Sequence, residues 1–155
     1  MRTIDHALMD RLVAQAAADP RRRAIHRFHE HEEPVQRMLN ALCDDSYVQP
    51  HRHANPDKVE LFSALAGRLL VLTFHDDGSV KDHQVLDPRG PVLGAEIPPR
   101  TWHAILALDP VSVALEIIQG PFDAATHKQF AGFAPEDPVA GLAWMRAHRD
   151  RLTSG

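Results

Sequence analysis

Three histidines and one glutamate stand at spacings that favour a shared metal site. His51 and His53 are separated by one residue, and a β-strand places residues i and i+2 on the same face, roughly 6–7 Å apart. Glu60 begins the next predicted strand, and His103 opens a later one. Histidine nitrogens and a carboxylate oxygen are ligands that divalent transition metals accept. The pattern therefore predicts that His51, His53, Glu60 and His103 bind a metal ion.

The alternative for the histidine pair is a surface position on an edge strand, which would be favoured if the pair stood alone. Inward-facing side chains of a small β-barrel are normally apolar, so inward histidines and a glutamate would be costly unless paired or metal-bound. We therefore expect one divalent ion, Fe, Mn, Ni or Zn, with Cu(II) also compatible. Such an ion keeps one or two open positions, which can polarise a substrate oxygen or acidify a bound water.

A second histidine cluster, formed by residues 26, 29 and 31 and followed by two glutamates, is a rival metal site. No matched turn and strand follow it, so we expect a polar, solvated loop. Trp102 is expected to pack, and Arg52 to face outward between the two inward histidines. Glu116 lies within an apolar run and is left open between the solvent face and the site.

Short apolar runs separated by turn signals dominate the chain from Ser46 onward. The run Asp76-Asp77-Gly78 is a typical hairpin turn. No helical pattern separates these runs, which favours an antiparallel sandwich or barrel over a parallel sheet with crossover helices. The predicted strands are 59–65, 68–75, 79–86, 92–97, 101–108 and 111–119.

Helical spacing of apolar residues appears in three other segments. The helices are predicted over 4–18 with Asp5 as its cap, over 34–43, and over 136–150 with Asp137 as its cap. Residues 24–29 alternate loosely and predict an edge strand. The fold class is therefore mainly β, with N-terminal helices and a C-terminal helix. Residues 121–134 are expected to wrap around the outside.

The two halves of the proposed site resemble the two sequence motifs of the cupin superfamily. The first motif is carried by the histidine pair, Glu60 and Gly67, and the second by Pro98 and His103. The resemblance covers about residues 45–119 and implies a small double-stranded β-helix barrel with the four ligands inside. Arg100 stands where the second motif has glycine, which puts the turn before His103 in question.

Further segments outside the two motifs carry a closer resemblance, among them residues 20–23, 34–37 and 120–123. With them, the whole chain is similar to the WbuC-type cupin-fold metalloproteins. This closer resemblance implies a bacterial protein that binds a metal, in some cases encoded among polysaccharide synthesis genes, and leaves the reaction open. Pattern alone places Gln36, Arg37 and Asn40 in water, whereas the resemblance favours the mouth of a pocket. The segments that carry it are 20–23, 34–37, 40–42, 50–53, 101–103 and 120–123.

Length and composition predict one soluble domain with three parts: an N-terminal helical arm (1–44), the barrel core (45–120) and a C-terminal wrap with a helix (121–155). The net charge of −4 argues against a nucleic-acid partner. We expect no signal peptide and no membrane span. The single cysteine, Cys43, suits the cytoplasm and is expected in the core. Cupins often pair through an edge strand or N-terminal arm, so we expect a homodimer.

Four functions remain open on this sequence. The first is a metal-dependent enzyme acting on a small polar, carbohydrate-like substrate in polysaccharide metabolism. The second is a ligand-binding or sensing protein in which the metal holds a small molecule and no bond breaks. The third is a purely structural metal, and the fourth, a metal-free isomerase, is weakened by the complete ligand set.

Overall fold

Two antiparallel β-sheets face each other, and one helix covers the outer face of each sheet. The computed structural model describes residues 1–153, and the statements below concern these residues. Since the strands, the N-terminal helix and the C-terminal helix are all present, the predicted mainly β fold class is confirmed. The elements are α1 His6–Ala18, β1 Arg23–Arg27, β2 Val35–Cys43, β3 His51–Arg52, β4 Glu60–Ala66, β5 Leu69–Phe74, β6 Val80–Leu86, β7 Gly94–Ile97, β8 Trp102–Ala107, β9 Val111–Gln119, β10 Gln129–Phe130 and α2 Pro138–Thr153.

The chain passes repeatedly between the two sheets. The first sheet has the strand order β1-β2-β9-β4-β7, and the second has the order β10-β3-β8-β5-β6. Every pairing is antiparallel, and the main core lies between the sheets, with Phe62 from the first and Val71 and Ile105 from the second. This arrangement brings β3, β4 and β8, which carry three of the four predicted ligands, and His53, which directly follows β3, to one end of the same interior.

Strand β5, which lies between β8 and β6, is apolar on both of its faces because both faces are covered. Leu69 and Val71 point into the core between the sheets, whereas Leu70 and Leu72 join a second cluster beneath α2.

Helix α2 has the predicted cap. Asp137 accepts a hydrogen bond from the Ala140 amide at 2.8 Å, so this prediction is confirmed.

Helix α1 packs on the outer face of the first sheet. Its predicted cap is confirmed, because Asp5 accepts a hydrogen bond from the Leu8 amide at 2.8 Å. Leu12 and Ala16 are buried against Cys43, which has no exposed surface and is a core residue as predicted. Within residues 1–153, no helix is both long enough and apolar enough to cross a bilayer.

The helix predicted over 34–43 is wrong, because these residues form the nine-residue strand β2. β2 lies between β1 and β9, so Leu39 packs under α1 while Met38 and Leu42 face the interior. Burial on both faces removes the alternation that identifies a strand, and the remaining apolar spacing fits a helix equally well. The N-terminal part of the chain therefore contributes two strands to the first sheet. Strand β1 lies at the edge of the first sheet. Pairing of two chains through an edge strand, and with it the homodimer, stays a prediction.

Replacing Gly67 by alanine is expected to lower the free energy of unfolding by about 2 kcal/mol. Its φ of 63° lies in the left-handed region, which costs a residue with a Cβ about 1–2 kcal/mol. The added Cβ would also lie 2.7 Å from the Val111 carbonyl oxygen and from Ser112 Oγ. Urea denaturation measures the loss. Gly132→Ala is the matched control, since a Cβ there meets nothing within 4 Å. Equal midpoints for the two variants would contradict this account.

Candidate metal centre

The four predicted ligands converge inside the fold. His51 and His103 face each other across the β3–β8 pair, Glu60 begins β4, and His53 follows β3 directly. All four residues are buried, with 1–3% of their surface exposed. One ligand atom from each residue lies within 4.8 Å of the others. The structure therefore brings together the residues that the sequence analysis selected, in a group that could hold a metal ion.

The outer nitrogen of each histidine ring is fixed by a backbone carbonyl. A carbonyl can only accept a hydrogen bond, so Nδ1 must carry the proton and Nε2 must present its lone pair to the centre. Metal-binding histidines are typically oriented in this way. The pairs are His51 with Gln49 O at 3.0 Å, His53 with His127 O at 2.5 Å, and His103 with Thr101 O at 2.9 Å.

The inner atoms of the group have no hydrogen-bond donor among the described residues. Glu60 Oε2 lies 2.8 Å from His103 Nε2 and 3.3 Å from His53 Nε2, so lone pairs face lone pairs. A buried polar atom without a partner costs about 1–3 kcal/mol. A bound cation would satisfy all of these atoms at once, so the residues present fit a divalent metal ion.

Electrostatics favour the protonation states that a metal requires. Burial lowers the pKa of His51 well below its usual range, and the nearby Lys128 and His103 charges lower it further. Burial alone would raise the pKa of Glu60, but a positive charge beside it, on His103 or on a bound cation, holds that pKa well below its usual range. Neutral imidazoles and an ionised carboxylate are the ligand forms that bind metals.

The turn before His103 keeps its left-handed geometry without glycine. Arg100 has a φ of 62°, its amide donates to His53 O at 3.0 Å, and its guanidinium pairs with Asp57 at 2.8 Å. These two contacts offset part of the cost of a side chain in that conformation. The arginine is thus compatible with the second motif, and it ties the His103 turn to the loop that follows His53.

A cavity of about 390 Å³ leads from the ligand group to the surface. His51, Glu60 and His103 line its buried end, and exposed residues such as Phe130 line its mouth. Its remaining lining residues are Arg23, Ile25, Arg27, His29, His31, Gln36, Met38, Asn40, Leu42, Tyr47, Val48, Gln49, Phe62, Ile105, Glu116, Ile118, Phe122, His127, Lys128, Glu136 and Pro138.

Glu116, which the strand pattern left open, lines this cavity. Asn40 donates a hydrogen bond to Glu116 Oε2 at 2.5 Å. Burial and the nearby Glu60 carboxylate raise the pKa of Glu116 well above its usual range. Gln36 also lines the cavity, so the solvent position that the pattern favoured for it and for Asn40 is wrong. Arg37 instead pairs with the carboxylate of Glu33.

The wrap over residues 121–134 supplies lining residues that the sequence analysis missed. His127 lies with its ring 4.9 Å from that of His53, and burial lowers the pKa of His127 to about 3. Lys128 lines the mouth beside it. This segment has no periodic pattern, so its sequence carries no signal of which side chains turn inward.

Of the residues His29, Trp102 and Arg52, the last two take their predicted positions and His29 does not. His29 is buried and lines the cavity with its Nδ1 2.7 Å from Arg37 O, so the solvated position expected for it is wrong. Trp102 packs against Phe133 and donates its indole N–H to Asp76 at 2.8 Å, as a packing residue should. Arg52 faces outward as predicted, and its guanidinium lies 4.1 Å from the Trp102 ring centroid.

Sequence comparison identifies the family. The profile of DUF6016, described as a domain of unknown function, matches residues 4–86, which is more than half of the chain. The chain belongs to the DUF6016 family. No curated protein matches this DUF6016 chain in sequence. The matched range ends after β6 and therefore includes three of the four predicted ligands but not His103.

Solved structures similar to the DUF6016 chain place it in the cupin fold. The capsular polysaccharide assembling protein CapF from Staphylococcus aureus superposes with a TM-score of 0.61 at 19% identity, covering 72% of this chain and 32% of CapF. KdgF from Halomonas sp. superposes with a TM-score of 0.51 at 16% identity, covering 66% of this chain and 82% of KdgF. The DUF6016 chain thus spans about a third of CapF, and these identities show the fold alone. The finer WbuC-type assignment stays a prediction.

Proposed function

We propose that this DUF6016 protein binds one divalent transition-metal ion through His51, His53, Glu60 and His103, and uses it to hold a small oxygen-rich ligand. One observation carries the proposal. The inner atoms of four buried residues face one another without a hydrogen-bond donor, while backbone carbonyls fix the three rings from outside. A cation, which accepts lone pairs from all four residues, satisfies this arrangement.

The cavity favours a metal that meets a ligand over a purely structural ion. Its volume of about 390 Å³ lies in the range of about 300–1,000 Å³ found for small-molecule sites. Structural metal sites are instead closed by protein ligands. A bound divalent ion supplies Lewis-acid polarisation of a ligand oxygen, or a water of lowered pKa.

We further propose an enzyme that acts on a carbohydrate-like substrate. Support comes from the polar groups near the ligand end, since Asn40, Glu116 and His127 can hydrogen-bond to hydroxyl groups. CapF, which is described as a capsular polysaccharide assembling protein, shares the fold. In this proposal Asn40 orients the Glu116 carboxyl, and the apolar Phe62 and Ile105 limit water around the bound ligand. The alternative is a cytoplasmic binding protein without turnover, which would show ligand-dependent thermal stabilisation but no product.

Elemental analysis of the purified protein and a His51→Ala variant tests the metal site. We expect about one metal ion per chain in the wild type and little bound metal in the variant, because one of four direct ligands is gone. His83→Ala is the matched control, since His83 is exposed on β6 and lies outside the cavity. Equal metal content in wild type and the folded His51→Ala variant, judged by circular dichroism, would refute the site.

A further inference from the structure

Three cationic side chains line the cavity without a carboxylate partner. Arg23, Arg27 and Lys128 form no ion pair with any residue in the described range 1–153. Elsewhere on the surface, Arg68 and Arg100 are paired with aspartates at 2.7 and 2.8 Å. Arg23 donates a hydrogen bond to the Tyr47 carbonyl oxygen, but this neutral acceptor does not cancel its charge. A cation that faces a cavity without a carboxylate partner is available to an anionic ligand.

The edge strand β1 presents two of these cations on one face. Arg23, Ile25 and Arg27 alternate along the strand, so all three side chains lie on the same side of it. Their register partners on β2 are Leu42, Asn40 and Met38, which also line the cavity. The lining by β1 is therefore a consequence of strand register and is built into the first sheet. Burial lowers the pKa of Arg23, as expected for a cation held partly out of water.

The third cation comes from the wrap that follows the sheets. Lys128 follows His127, whose ring packs beside that of His53. Burial lowers the pKa values of His51 and His127, and the Lys128 charge lowers them further, so Lys128 lies close to the buried end of the cavity. Lys128 is exposed at the mouth. Cations from two separate elements thus flank the entrance to the ligand end of the cavity.

The charge balance of the cavity is opposite to that of the protein. The carboxylates that line it are Glu60, Glu116 and Glu136. Even with all three ionised, the three cations and a divalent ion leave two positive charges in excess. The whole chain carries a net charge of −4. The positive potential of the cavity attracts anions, whereas the negative surface around it repels them. Anions are therefore expected to bind in the cavity rather than elsewhere on the protein.

We propose that the ligand of this cavity is an anionic, oxygen-rich small molecule, a sugar acid or sugar phosphate, whose carboxylate or phosphate binds between the β1 arginines and Lys128. The proposal rests on the proposed metal site, because the ligand's other oxygens must reach the ion. Arginine pairs with both carboxylates and phosphates, so the cations predict a negatively charged ligand. The titration distinguishes a carboxylate from a phosphate.

Isothermal titration of the metal-loaded protein with D-glucuronate, D-glucose 6-phosphate and D-glucose tests the proposal. We expect at least one of the two anionic sugars to bind ten times more tightly than glucose, and its affinity to fall severalfold between 50 and 500 mM NaCl. The Arg27→Gln, Lys128→Gln double variant should lose about tenfold in that affinity and keep its metal. Arg89→Gln is the matched control, since Arg89 is exposed on a turn outside the cavity.

The outcomes separate this proposal from the metal site itself. Metal content is measured on every sample before titration. If the protein holds its metal but binds neither anion more tightly than glucose, or if the double variant binds as wild type does, the anionic ligand is refuted and the metal site stands. If wild-type protein holds no metal, the proposed function fails first.

Discussion

Removal of the metal ion is expected to lower the free energy of unfolding by about 4 kcal/mol. An ion that binds the folded state at a concentration about 1,000 times its dissociation constant stabilises that state by this amount. The ligands are far apart in sequence, so the unfolded chain cannot assemble the site. In addition, removal leaves the lone pairs of Glu60, His53 and His103 facing one another without a cation.

Calorimetry of chelator-treated and metal-reconstituted protein measures this difference. For a chain of this length, 1 kcal/mol shifts the midpoint by about 2–4 °C, so the expected shift is roughly 10 °C. The His51→Ala variant should show little response to chelator, whereas His83→Ala should respond as wild type does. A wild-type protein whose midpoint ignores both chelator and added metal would contradict a site that links the two sheets.

Replacing Glu60 by glutamine is expected to change metal affinity and apo-protein stability in opposite directions. The substitution keeps the shape of the side chain but removes the only charged ligand, so metal affinity should fall on the order of 1,000-fold, beyond the 10–100-fold typical of indirect partners. Without metal, the new amide can donate to His103 Nε2 and His53 Nε2, which lie 2.8 and 3.3 Å from Glu60 Oε2. The apo variant should therefore be more stable than apo wild type by about 2 kcal/mol.

Competition with a chromophoric chelator measures the affinity, and urea denaturation of both apo proteins at pH 8, above the ordinary pKa of histidine, measures the stability. Glu96→Gln is the control, because Glu96 is exposed on β7 and lies outside the ligand group. An apo Glu60→Gln protein that is less stable than apo wild type would show that Glu60 stabilises the fold without metal. The inner atoms of the centre would then not be opposed lone pairs in the apo protein.

The sequence by itself predicted most of the strands and selected the four residues that come together at the candidate metal centre. His51 and His53 share a face because the side-chain period of a strand is two, and this local rule survives folding. The turn at residues 76–78 and the caps Asp5 and Asp137 are equally local, since each depends on a few neighbouring residues. Such features can be predicted from the sequence because they depend on neighbouring residues and not on tertiary contacts.

Only the tertiary structure decided which residues line the cavity. The apolar spacing of β2 predicts a helix, but the segment is a strand because α1 and the interior cover its two faces. Whether Glu116 faces the interior depends on how β9 pairs with β2 and β4. Arg27, on a sheet edge, and Lys128, on an irregular segment, line the same cavity. The physical reason is that burial is a property of pairs of elements, so no single segment contains the information about what will cover it.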